Sequence, residues 1–168
     1  GSSCQDPSTI YKDIAILKEA IEKEPENARY VFYLAQSYMF AKDLPNALAA
    51  YEKRSHMQGD KDETFWALYW LARTQEALEL EPAIYLKSYD KAHRFDPLRA
   101  EPLERIATYY FQNDYPTIAY SLMKYGQTLP PPTPLTSAYY SWVYDFALYS
   151  IAADCATIMG KFEDAKQD

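Results

Sequence analysis

The sequence predicts an all-α chain, a right-handed superhelix (solenoid) of antiparallel helix pairs. Three observations carry that expectation. Ala35, Ala72 and Ala107 recur at intervals of 37 and 35 residues, each in a segment whose apolar residues fall at i, i+3, i+4 and i+7. Prolines punctuate these segments. Pro45, Pro82 and Pro116 stand between paired helices, where a first-turn proline sacrifices no hydrogen bond, and Pro25, Pro97 and Pro131 stand where the second helix should stop. Finally, 17 Tyr, 3 Trp and 7 Phe accompany only 4 Gly in 168 residues, which favours ring-packed helices over Gly-rich phosphate loops. The same prolines forbid the sustained heptads of a coiled coil.

Taken in order, Gly1-Ser2-Ser3 reads as a cloning scar, which predicts a chain cut from a longer protein. Residues 4–26, with Leu17, Ala20 and Ile21, form the second half of a repeat. Residues 27–61 form the first full repeat, with Val31, Leu34-Ala35, Tyr38, Ala47 and Tyr51. Residues 62–97 form the second (Leu68, Leu71-Ala72, Tyr85, Tyr89, Ala92) and 98–131 the third (Leu103, Ile106-Ala107, Tyr110, Ala119, Met123). Residues 132–168 hold a Pro-rich, extended connector and an atypical fourth repeat on a long aromatic helix from Ser137 to about Met159. One domain is expected overall. Ala35, Ala72, Ala107 and Ala153 are placed where paired helices cross closest. Tyr51, Tyr89 and Met123 are placed where bulk fills the groove.

Leu34-Ala35-x-x-Tyr38 followed by Ala47-x-x-x-Tyr51 resembles the tetratricopeptide repeat (TPR), a unit of about 34 residues. The likeness runs over roughly residues 10 to 168. It departs locally, with Gln75 where tyrosine is expected and an extra residue between the second pair's helices. Longer strings are similar to TPR regions attached to some family 2 glycosyltransferases. They are Ala28 to Tyr38, Tyr51-Glu52-Lys53-Arg54, Arg99 to Leu103, and Ser150 to Ala153 followed by Gly160 to Ala165. That likeness implies a non-catalytic helical segment that holds an acceptor protein, a glycan or a second subunit. A free-standing TPR scaffold that binds a peptide is the alternative.

Composition narrows the field further. A formal charge of −7 disfavours nonspecific nucleic-acid binding, and no apolar run reaches the length of a membrane helix. Cys4 and Cys155 sit at opposite ends, leaving a disulfide open, although reduced thiols in a cytoplasmic protein are simpler. No nucleophile, zinc or nucleotide motif is present, so neither catalysis nor a cofactor or metal is expected. Asp60-Lys61-Asp62 echoes a metal-binding string but lies in a turn, where Asp60 or Asp62 should cap the next helix. His56 and His93 fall near helix C-termini, the favoured end for cations. Glu19, Glu22, Glu24 and Glu26 read as a solvated face, and Glu101 with Glu104 is a carboxylate pair at helix-surface spacing.

In such a superhelix the first helix of each pair lines the concave side. The inward positions are then Arg29, Phe32, Tyr33, Gln36 and Phe40, followed by Trp66, Tyr69, Trp70, Arg73 and Glu76. The third repeat adds Glu101, Glu104, Arg105, Thr108, Phe111 and Gln112. Rings beside arginines and amides combine contact area with polar tips, so these residues predict a groove for a peptide or glycan. TPRs that hold a C-terminal carboxylate use a Lys/Asn/Lys/Arg set. The matching positions here carry Phe32, Gln36, Trp70, Glu101 and Arg105, and only the last fits. The dense aromatic run from Tyr139 to Tyr149 is expected either to pack the last helix or to dock another domain or a second copy.

Overall fold

The computed structural model describes residues 7–133 and 139–160. Among them the chain is helical throughout and contains no strand. The elements are α1 (Pro7–Lys23), α2 (Ala28–Phe40), α3 (Leu44–Ser55), α4 (Lys61–Ala77), α5 (Pro82–Phe95), α6 (Glu101–Gln112) and α7 (Pro116–Gln127). A π-helical turn (Val143–Ala147) and α8 (Leu148–Ile158) follow. No helix among the described residues is long and apolar enough to cross a membrane.

Helix starts follow from side-chain chemistry. Asn27, Asp43 and Asp60 each accept a backbone N–H three residues on, at 3.3, 3.3 and 3.0 Å, satisfying donors that a helix N-terminus leaves unpaired. Asp60 is therefore the N-cap of α4. Helix ends follow a rule that composition hid. Lys42, Glu79 and Asp114 take left-handed backbone conformations, with φ of 59, 54 and 64°. They are spaced by 37 and 35 residues, the same intervals that separate Ala35, Ala72 and Ala107. At each, the following N–H returns to a carbonyl five residues back: Asp43 to Tyr38, Leu80 to Gln75 and Tyr115 to Tyr110, at 2.9, 3.1 and 2.9 Å. Glycine commonly fills such a turn. Here three side-chain-bearing residues fill it, which is how a helical repeat manages with four glycines.

The chain divides into two compact units, one up to Ser88 and one from Tyr89 onward. In the first, α1 packs on α2, α2 on α3 and α3 on α4. Its core joins Phe32, Ala35, Ala47, Ala50, Tyr51, Ala67 and Leu71. In the second, α7 lies between α6 and α8, and the core joins Ala107, Ala119, Met123, Val143, Tyr144, Leu148, Ala152 and Cys155. Ala35, Ala72 and Ala107 are fully buried at close approach, and Tyr51, Tyr89 and Met123 are buried as the expected fillers.

The last helix corrects the sequence reading in two ways. Tyr139 and Tyr140 are not helical, so the helix starts at Ser141 (Ser137 lies outside the described residues). The Tyr140 N–H instead reaches Glu101 Oε1 at 3.5 Å, and the Tyr139 ring meets Tyr144 edge-on at 5.7 Å. The expected crossing residue Ala153 is only half-buried, whereas Ala152 and Ala156 are fully buried. The π turn accounts for this shift. The Leu148 N–H bonds Val143 O, five residues back, and the wider turn rotates everything after it relative to a regular helix.

Candidate functional site

Two clefts flank α2 in the first unit, and α2 supplies the wall they share. Val31, Phe32 and Ala35 face its core, so Tyr33, Gln36 and Phe40, at i, i+3 and i+7, form a stripe on another face. Phe40 is 68% exposed, a large apolar side chain left in solvent at the helix end. One cleft, of about 180 Å³, is lined by Gln36, Met39, Phe40, Tyr51 and Trp70. The other, of about 410 Å³, sets Asp13, Ile16 and Leu17 of α1 against Tyr30, Tyr33, Gln36, Ser37 and Phe40. Both are mainly apolar, with the Gln36 amide common to the two.

The rings beneath are held rigidly. Tyr69 stacks with Phe65 at 6.4 Å and meets Trp66 and Trp70 edge-on at 5.5 and 6.0 Å, which fixes the two half-buried indoles. Arg29, at the start of α2, donates to the Tyr33 hydroxyl at 3.4 Å and lies 5.7 Å from that ring's centre. It also pairs with Glu63 at 3.3 Å. The hydrogen bond to Tyr33, then the charge of Glu63, raise its pKa above the ordinary guanidinium value. Arg73 pairs with Glu76 at 3.8 Å.

The structure brings Tyr33, Gln36, Phe40 and Trp70 of the predicted groove to these clefts. Phe32 and Tyr69 are corrections, at 6% and 2% exposed: Phe32 is locked against Tyr51, and Tyr69 lies beneath the two tryptophans. Arg105, Thr108 and Phe111 belong to the other unit. There the Thr108 hydroxyl donates to Glu104 at 2.8 Å, Arg105 lies 4.0 Å from the same carboxylate, and Phe111 packs on the core. Sequence reasoning missed Met39, Tyr51, Ile16 and Leu17 as lining residues. Ile16 had a readable signal, since it lies off the i, i+3, i+7 stripe of Ile14, Leu17 and Ile21, and in the structure it is 64% exposed.

The remaining chemical candidates turn out to be structural. Glu101 and Glu104 are buried, not on a helix surface. Arg99 grips Glu101 with two bonds, at 3.1 and 2.7 Å, and the Tyr144 hydroxyl donates to it at 2.9 Å while accepting from the Ala100 N–H at 2.9 Å. Burial, then the Glu101 charge, push the Tyr144 phenol well above its usual range, so it stays protonated. A carboxylate so bound is a structural anchor. His56 caps α3, and His93, in the last turn of α5, bonds Arg99 O at 3.0 Å. The run from Glu19 to Glu26 is exposed. Cys155 is a buried free thiol whose pKa burial lifts to about 11, placing it among inert thiols. No cluster of three or more His, Cys, Asp or Glu among the described residues could hold a metal ion.

Two solved structures of MamA, a TPR-like protein, are similar to this chain. One superposes with a TM-score of 0.70 at 15% identity over 92% of this chain and 81% of that one. The other gives 0.66 at 14% identity, covering 92% and 75%. The fold is a TPR-type helical repeat. No protein-family model matches the sequence, and no curated protein matches it.

Proposed function

We propose that this chain is a protein-interaction scaffold of the free-standing TPR kind, holding a peptide segment in the clefts along α2. The observation that carries the reading is Phe40, a largely exposed ring that walls both clefts, with Trp70 and Gln36 beside it. Apolar hollows edged by one amide and, in the larger, the single carboxylate of Asp13 suit a peptide with large apolar side chains and an accessible backbone, and rigid rings limit the entropy lost on binding. The glycosyltransferase-attached reading, the sequence's first expectation, rests on sequence strings alone, and none of the comparisons supports it. The test selects peptides from a display library against the full chain and measures their affinity by fluorescence polarisation. Phe40→Ala, which removes an exposed ring and spares the core, should weaken binding about tenfold or more, as expected for a hot-spot aromatic. Trp70→Ala should do the same, whereas Ile158→Ala should leave binding unchanged. Selected peptides that bind the Phe40→Ala and Trp70→Ala chains as tightly as the parent overturn the proposal.

A further inference from the structure

We propose that a third cleft, between the C-terminal end of α7 and the π-helical turn, receives an arginine side chain from a partner protein. This site lies in the second unit and goes beyond the α2 clefts. It is a hollow of about 400 Å³ whose walls include Gln127, Thr128, Pro130, Asp145 and Tyr149. Three features make it electronegative. The Asp145 carboxylate is exposed on the π turn. The C-terminus of α7 presents the negative end of its helix dipole there. Tyr149, 38% exposed and four residues beyond Asp145, offers an aromatic ring of the kind that attracts cations through its face. Among the described residues, no lysine, arginine or histidine lines the cleft. Lys124, the basic residue in the last turn of α7, is not among its walls.

The frame is held open by specific contacts. The Gln127 amide donates to Leu148 O at 3.0 Å, tying the end of α7 to the residue where the π turn passes into α8. The Thr128 and Leu129 N–H groups turn back to Tyr125 and Gly126 carbonyls at 3.0 Å each, and the Thr128 hydroxyl does the same at 2.7 Å. π turns in helices recur at functional sites, and this one carries the carboxylate. A guanidinium suits the site better than an ammonium, because it is flat, stacks on a ring and bonds a carboxylate with two N–H groups. Trp142 and Phe146, close to Asp145 in sequence, are exposed but do not line the cleft. A net charge of −7 favours a basic partner.

The test titrates the isotope-labelled full chain with acetyl-Gly-Arg-Gly-amide at millimolar concentration, and with its lysine and citrulline counterparts, following amide shifts by NMR. The arginine peptide should shift the amide resonances of residues 126–129 and 144–149. The lysine peptide should bind more weakly and the uncharged citrulline peptide not at all. Asp145→Asn, a surface change that leaves the core intact, should weaken arginine binding about fivefold, the worth of one charge contact at a partly exposed site. Tyr149→Ala should weaken it as well. An absence of shifts, equal shifts with citrulline, or unchanged binding by Asp145→Asn overturns the proposal. So do shifts at Trp142 and Phe146 that grow with protein concentration alone, which would assign this face to a second copy of the chain.

Discussion

In the unit ending at Ser88, helix crossings close on Ala35, Ala47 and Ala67, and rings such as Tyr51 and Phe65 fill the space beside them. Its fully buried charge, Arg54, reaches outward to Met57 O, Thr64 and Glu63 at the α3–α4 junction. Burial pulls that guanidinium below its ordinary pKa, partly offset by Glu63 and Asp60. In the unit beginning at Tyr89, the same small-residue crossings at Ala107, Ala119 and Ala152 surround an ion pair, Arg99 with Glu101, bonded to Tyr144 across 43 residues. The first unit uses charge to pin a loop, the second to pin one helix against another. Taking two charges out of water is costly, and a buried pair offsets that cost only with saturated hydrogen bonding. The second unit supplies that saturation through Tyr144 and the Arg99 fork.

That contrast breaks most severely at Glu101. Glu101→Ala removes the carboxylate that the buried Arg99 guanidinium grips with two bonds and should cost about 3–5 kcal/mol in urea denaturation. Replacing both members, Arg99→Met with Glu101→Leu, should recover most of it, since an apolar pair of similar volume is often neutral or better. If the single change costs under about 1 kcal/mol, the pair is not the anchor of the second unit.

This difference also marks how far the sequence could be read. The repeat interval, the crossing alanines other than Ala153, the proline punctuation and a cap from Asp60 or Asp62 were legible because each is a local or periodic property. The network was not. Glu101 and Glu104 show a spacing common on helix surfaces, and only the return of Tyr144 from far along the chain makes their burial tolerable. Tyr33, Gln36, Phe40 and Trp70 were legible as cleft residues from helix phase, whereas Phe32 and Tyr69 were not separable from them. Rings of the same type at adjacent positions differ only in which neighbour they meet.

A smaller effect tests the close approach of α7 to α8. A Cβ added at Gly126 would lie 2.6 Å from Leu148 Cδ2, and Leu148 is itself buried with little room to move. Gly126→Ala should therefore destabilise by about 1–3 kcal/mol from overpacking, reduced somewhat by alanine's better helix propensity. In a Leu148→Val background the cost should shrink, and a double-mutant cycle would read that coupling. Additive effects would place the clash elsewhere.

The smallest effect compares the units through a turn that both contain, and its sign is reversed. Lys42 and Glu79 in the first unit, and Asp114 in the second, hold left-handed turns on exposed positions. A residue with a Cβ is strained there by about 1 kcal/mol, but aspartate is eased by local hydrogen bonding of its short side chain. Glu79→Gly should therefore stabilise the chain by up to about 1 kcal/mol, because relief of strain outweighs the extra freedom glycine gives the unfolded state. Asp114→Gly should gain less, or nothing. Equal gains at the two sites, measured as urea midpoints at constant slope, would mean that aspartate confers no advantage in this turn. A loss at Glu79 would mean that its side chain contributes more to the α4–α5 turn than its exposed position implies.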